Sequence, residues 1–193
     1  MTSLRAFIAV EIPSSIQQAI FACTDELQRM FGSSLVRWVA VKNLHLTLKF
    51  LGDVSPANVN MLSDMLTTEA AHTAPFSLHI SGLGSYPTPR RARVIWVGIN
   101  APAALLALQR GIESASARLG YETEERSFSP HLTIGRVKQP LSAADQQTVR
   151  LALERTQVGD IGEVEVDAVH LFKSDLKPSG SVYTRLVSAP LKS

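Results

Sequence analysis

The pattern His-Leu-Thr-aliphatic occurs twice in this chain, at His45 in "NLHLTLKF" (43–50) and at His131 in "SPHLTIGR" (129–136). The offset of 86 residues between them carries more than the two motifs. Under it, strand-like Ile8 falls on Val94, Ser14 on Asn100 and Leu78 on Val164, while Ser55 falls one residue before Ser142. Strand, helix, His strand, helix, strand is thus written twice in nearly fixed register. Units this long and this few exclude a solenoid. The expected fold is α+β and bilobal, a pseudo-two-fold duplication. Each lobe is an antiparallel-type sheet with two helices on its outer face and one His-x-Thr strand facing a central cleft. With five His and twelve Thr in 193 residues, composition alone supplies roughly 0.06 such motifs per chain. Two at matched places are not an accident.

Local signals fill in the elements. Ser14 with Gln17 predicts a helix start, with Ile16, Ile20, Cys23, Leu27 and Met30 along its apolar stripe and Gly32 as its end. Ser55-Pro56 opens a second helix with Val59, Leu62 and Leu66 inward. Asn100 and Pro102 open a third, carrying Leu105, Leu108, Ile112 and Leu119 and stopping at Gly120; Ser142 with Asp145 caps a fourth that ends near Arg155. Strands are expected at 6–12, 36–39, 45–51, 76–80, 94–99, 131–134, 164–172 and 181–187. The expected organisation is one bilobal domain over 1–193, with repeats at 5–81 and 93–172 and a final strand at 181–187. "GLGSYPTPRRAR" (82–93) is the expected crossover between halves.

Composition narrows the function classes. The first apolar run, "AFIAVEI", is too short for a signal sequence or a membrane span, so a cytoplasmic protein with no membrane segment is expected. One cysteine, Cys23, excludes an internal disulfide and a cysteine-rich metal site, and its place on a helix stripe predicts a small core residue. Net charge is only +2, yet thirteen of nineteen basic residues are Arg, three of them at Arg90, Arg91 and Arg93. The planar fork of Arg suits phosphate, which permits a polyanionic partner; a solvated loop explains the cluster equally well.

Strand alternation places His45, Thr47 and Lys49 on one face, with Leu46, Leu48 and Phe50 on the other. His131 and Thr133 likewise share a face. Each strand then presents an imidazole and a hydroxyl about 7 Å apart, facing the cleft. Two imidazoles suit a displacement that needs a base on one side and an acid on the other, because imidazole titrates near neutrality. Threonine hydroxyls and an arginine could hold non-bridging phosphate oxygens while charge develops there. In-line attack at phosphorus puts nucleophile and leaving group on opposite sides, which a two-fold cleft serves. The expected chemistry is metal-independent phosphodiester hydrolysis or transfer. Zinc spacing and a G-x-S-x-G elbow are both missing from the sequence. Two residues stand five positions after the histidines. Arg136 is expected to pair with phosphate; Phe50 falls on the core face of a regular strand and would reach a base for stacking only if the strand bulged. Trp38 and Tyr183 are amphipathic residues with a structural role expected, as are His72, His79 and His170, which lack a threonine partner.

"HLTLKFLGDV" (45–54) and "SPHLTIGR", with "RWV" (37–39) ahead and "VYTRL" (182–186) near the end, resemble the 2H phosphoesterase superfamily, and within it the bacterial RNA 2′,3′-cyclic phosphodiesterase (LigT-like, 2′-5′ RNA ligase) family. The resemblance covers essentially the whole chain. It implies hydrolysis of RNA 2′,3′-cyclic phosphate ends to 2′-phosphates, and in some members reversible 2′-5′ joining of tRNA halves. It implies no cofactor or metal and a partner that is RNA or a nucleotide with a 2′,3′-cyclic phosphate end. By that resemblance His45 protonates the leaving 3′ oxygen, His131 activates water, and Thr47 and Thr133 bind phosphate. A monomer is expected. The competing expectation is a non-catalytic nucleotide- or RNA-binding module using the same cleft, which would not need both histidines.

Overall fold

The computed structural model describes residues 3–178 and 180–192. Along the chain run β1 (Leu4–Glu11), α1 (Ser14–Leu35), β2 (Val36–Trp38), β3 (His45–Val54), α2 (Val59–Ala70), β4 (Phe76–Tyr86) and β5 (Val94–Asn100). α3 (Ala103–Arg118), β6 (His131–Val137), α4 (Ala143–Arg155), β7 (Asp160–Val166), β8 (Ala168–Lys177) and β9 (Gly180–Pro190) follow. Two antiparallel sheets result, ordered β3-β1-β8-β9 and β2-β6-β5-β4-β7. α2 and α3 cover the first sheet, and α1 and α4 the second. The α+β, two-sheet arrangement with one His strand per sheet is as expected.

The sheets are not the two halves of the sequence. β3-β1-β8-β9 corresponds strand for strand to β6-β5-β4-β7, and each half lends strands to the other sheet: β2 and β4 join the second, β8 and β9 the first. Residues 82–93 therefore make no crossover between halves. They finish β4 and turn directly into β5, paired Tyr86 to Val94. The strand expected at 164–172 is two, split at Asp167, where the chain leaves the second sheet for the first.

Packing explains the elements. Leu62 and Leu66 of α2, Leu105, Leu108 and Ile112 of α3, and Val149 of α4 bury against strand residues such as Ile8, Leu46, Leu78, Ile95 and Leu132 in one core. Each fully buried side chain of this kind contributes about 1.5–3 kcal/mol. At the α4 start, Ser142 accepts from the Asp145 N–H (3.1 Å), as its capping pattern predicts. α1 departs from expectation: Pro13 precedes the helix, and Ser14 makes no side-chain cap. Gly32 (φ 53°) interrupts this helix rather than ending it, and a further turn reaches Leu35. Its buried stripe is Ile20, Thr24, Leu27 and Phe31, which leaves Cys23 and Met30 exposed. Thr24 takes the inner place of Cys23 because its hydroxyl is satisfied by the Ile20 carbonyl oxygen (2.8 Å). No helix among the described residues is long and apolar enough to cross a membrane.

Candidate active site

The two histidine strands meet where the sheets come together, β3 against β6. Both imidazoles are held identically. His45 Nδ1 lies 2.7 Å from the carbonyl oxygen of Asn43, and His131 Nδ1 lies 2.7 Å from that of Ser129. A carbonyl can only accept, so Nδ1 carries the proton in each ring. Nε2 is left as the atom free to give or take a proton. Asn43 is itself tied down, its side-chain amide donating to the Ser181 carbonyl oxygen at 2.8 Å.

Aromatic rings set each imidazole's pose. Tyr183 stands edge-on to His45 (5.1 Å, 89°) with Phe7 against the other side (4.8 Å). Tyr86 stands edge-on to His131 (5.1 Å, 78°) with Trp96 beyond (6.2 Å). The Tyr86 hydroxyl is 2.8 Å from Ser129 Oγ, on the residue that holds His131. Trp96 lies flat over Gly84, where any Cβ would enter the indole. Burial pushes the His45 pKa down, partly opposed by the hydrogen bond to Asn43. His45 is therefore biased toward its neutral form.

A matched pair of bulges changes which residues face the site. On β3, Thr47 pairs with Ala9 and Lys49 with Ile8, leaving Leu48 as the extra residue. On β6, Thr133 pairs with Trp96 and Gly135 with Ile95, leaving Ile134 extra. One extra residue reverses side-chain alternation beyond it. Lys49, expected beside Thr47, turns inward instead: it is 4% exposed and pairs with Glu113 of α3 at 2.6 Å. Phe50, expected on the core face of a regular strand, is 64% exposed opposite Phe7, on the histidine face. Arg136 reaches the same face of the second sheet, opposite Val94, and is exposed. His45, Thr47 and Phe50 thus line one side, and His131, Thr133 and Arg136 the other. Trp38 is structural: it stacks on Phe31 (6.3 Å, 7°) and donates to the Gly32 carbonyl oxygen. Tyr183, also expected to be structural, packs edge-on against both Phe7 and His45. His72 and His79 stay outside, on Thr68 and Asp160, but His170 lies on the site face of the first sheet, opposite Ala9. Phe7, Tyr86 and Trp96 carried no distinguishing sequence signal. Among the described residues, no three His, Cys, Asp or Glu group as metal ligands would.

A family model described as LigT like phosphoesterase matches residues 10–96 and again residues 97–183. The chain belongs to the LigT-like phosphoesterase family. The two matches meet between Trp96 and Val97 and begin 87 residues apart, within one residue of the 86-residue offset of the His motifs. Among relatives of this LigT-like chain, the RNA 2′,3′-cyclic phosphodiesterase of Methanothermobacter thermautotrophicus is 32% identical over 181 residues, covering 94% of this chain and 95% of that one. A crystal structure of a Thermus thermophilus protein superposes with a TM-score of 0.81 at 26% identity, covering 98% of each chain. Escherichia coli LigT complexed with 3′-AMP superposes at 0.77 and 26%, covering 99% of each.

Proposed function

We propose that this LigT-like phosphoesterase is an RNA 2′,3′-cyclic phosphodiesterase that opens cyclic phosphate ends to 2′-phosphates by two-histidine acid–base catalysis. The observation that carries this is the paired tautomer lock: both Nδ1 atoms donate to a carbonyl two residues upstream, leaving two Nε2 atoms on facing strands. A binding module would need the threonines and arginine but not two imidazoles of fixed tautomer.

In the proposed reaction, His131 Nε2 takes a proton from water as its oxygen attacks phosphorus. The bond from phosphorus to O3′ breaks, and protonated His45 Nε2 delivers its proton to O3′, leaving the phosphate on O2′. Thr47, Thr133 and Arg136 hold the non-bridging oxygens, and Phe50 stacks on the base. The proposal meets one opposing observation, the lowered pKa of His45, which disfavours a proton donor. The anionic phosphodiester answers it: a negative charge within about 4–6 Å favours imidazolium. Substrate thus loads its own acid. Reverse 2′-5′ joining would use the same residues.

The test is hydrolysis of a nucleoside 2′,3′-cyclic phosphate in EDTA by wild type, His45→Gln and His131→Gln. Each substitution is expected to lower kcat about 10²–10⁴-fold. In the residual activity, His45→Gln should lose the alkaline limb of the pH profile and His131→Gln the acid limb. Full turnover in both variants, or activity abolished by chelator, would overturn the proposal; exchanged limbs would reverse the two roles.

A further inference from the structure

The carbonyl oxygens that lock the two imidazoles are themselves held unequally. Asn43 closes a 3-10 turn (Val41–Asn43) in which its N–H donates to the Ala40 carbonyl oxygen (2.7 Å) and that of Leu44 to Val41 (3.1 Å). Its side-chain amide adds the bond to Ser181. Ser129 has no such turn around it and is exposed, near the end of the irregular connection 119–130 between α3 and β6. The start of that connection is pinned by Lys49, which donates to the Glu122 carbonyl oxygen, and by Glu113, which accepts from the Glu124 N–H (2.9 Å). Phe128 packs on the core, but residue 130 is proline and has no N–H to donate. Among the described residues, the only hydrogen bonds of 125–130 are both at Ser129: its carbonyl oxygen on His131 Nδ1 and its hydroxyl on that of Tyr86. Tyr86 is fixed where Ser129 is not. It pairs with Val94, its carbonyl oxygen accepts from the Arg93 N–H (2.7 Å), and its ring packs against Trp96 (5.3 Å).

We infer that Tyr86 is the positioning residue of His131, acting through its hydroxyl: by holding Ser129 Oγ it keeps the Ser129 carbonyl oxygen on Nδ1, and so keeps Nε2 bare and aimed at the attacking water. The inference rests on the proposed function, in which His131 is the base. A carbonyl that drifts from Nδ1 lets the proton sit on either nitrogen, and a ring protonated at Nε2 accepts nothing there. The edge-on ring of Tyr86 restrains the tilt of the imidazole but has no preference between tautomers, so the lock falls to the hydroxyl. Tyr86 does for Ser129 what the backbone turn does for Asn43. A hydroxyl pair that water replaces without consequence would leave His131 unchanged when the phenol oxygen is removed.

Tyr86→Phe removes the hydroxyl and keeps the ring. On a nucleoside 2′,3′-cyclic phosphate its kcat should fall about three- to tenfold, the range that one hydrogen bond supplies, with KM within about twofold of wild type. Ser129→Ala should lose as much, and the double variant no more than either, because both remove one bond. Ser129→Thr, which keeps a hydroxyl, should retain most of the activity. Nitrogen-15 NMR of the imidazoles, at a pH above the ordinary histidine range, reads the lock without any turnover. The His131 signal, assigned by its loss in His131→Gln, should move from the Nδ1–H form toward a mixture of tautomers in Tyr86→Phe, while His45 stays as it was. A hydroxyl that only stabilised the fold would lower the urea midpoint and leave kcat and tautomer alone. Wild-type kcat in Tyr86→Phe, losses that add in the double variant, or an unchanged His131 tautomer overturns the inference. A tautomer shift in a protein that hydrolyses no cyclic phosphate supports the lock and sinks the proposed function alone.

Discussion

Phe50→Leu isolates what the β3 bulge does. Phe50 is 64% exposed, so of the roughly 200 Å² an aromatic side chain offers only about 70 Å² is covered, mainly by Phe7, whose ring centroid lies 6.2 Å away. At about 25 cal/mol per Å², that burial is worth at most about 2 kcal/mol, and leucine keeps most of it. The expected loss of stability is therefore under about 1 kcal/mol. Stacking of a base on an aromatic ring is worth about 1–3 kcal/mol, and leucine cannot supply it. At 1.36 kcal/mol per decade, kcat/KM on a nucleoside 2′,3′-cyclic phosphate should fall roughly 5- to 150-fold. The loss should sit mainly in KM, because the ring holds ground state and transition state alike. Phe50→Tyr should restore it. Steady-state kinetics beside urea unfolding reads both quantities on the same preparations. If Phe50→Leu keeps kcat/KM within twofold of wild type, Phe50 does not touch substrate, and the exposed ring is an accident of the bulge.

The inward turn of Lys49 makes its own prediction. Lys49→Met removes the partner of Glu113 across a 2.6 Å pair whose lysine is buried, and leaving a buried charge unpaired costs about 3–5 kcal/mol. The partial exposure of Glu113 puts the expected loss in urea unfolding at the lower end, and no loss at all would show the pair to be solvated. Acid should also weaken the fold. His45 and His170 both have pKa values depressed by burial from about 6.5, so below that pH the unfolded chain binds protons that the native chain refuses. Stability then rises with pH through that range and falls as pH drops below about 6.5. Unfolding free energies measured from pH 7.5 to 5 should decline, and the decline should shrink in His170→Gln; an unchanged profile in that variant would clear His170 of the effect.

The sequence carried the duplication because a repeat in register needs no knowledge of contacts. Both His-x-Thr faces, α2 to α4 and the Ser142 cap were legible for the same reason: their signals lie within a few residues. What was illegible depends on pairing. Nothing within "HLTLKF" says that Leu48 will oppose no residue of β1, so strand parity alone assigns Phe50 and Lys49 to each other's faces. Arg136 escapes the same error only because its chemistry, rather than its parity, suggests the site. The exchange of β4 and β8 is equally hidden, since an antiparallel partner can lie anywhere along the chain and the alternation through Asp167 runs on without a break. At Cys23 the failure is chemical. A threonine that satisfies its hydroxyl on its own helix competes for the core with a cysteine, and periodicity ranks them the other way.

The places where the repeat has diverged argue for how the proposed site divides its work. Matched bulges put residues five beyond each histidine on the site face; one half has phenylalanine there and the other arginine. The residue opposite each motif threonine differs too, Ala9 in the first sheet and Trp96 in the second. Around His45 stand the aromatic rings of Phe7 and Tyr183, with Phe50 against Phe7, and burial depresses its pKa. On the second side the bulge delivers a guanidinium, with a second one opposite it. In-line displacement at phosphorus is served by proton-transfer groups on opposite sides, and in the proposed site duplication supplies two histidines with one backbone design. A nucleotide has no such symmetry, having one base and one phosphate chain. In the proposed site, divergence at a few bulge-exposed positions would let a symmetric acid–base pair accept an asymmetric ligand, with Phe50 toward the base and Arg136 toward the phosphate. Exchanging Phe50 and Arg136 in one double variant would retain both histidines and the net charge while inverting that division. The expected result is a folded protein whose kcat/KM falls by more than either single substitution to alanine. Retention of wild-type activity would mean that the two sides are interchangeable and that the asymmetry has no part in binding.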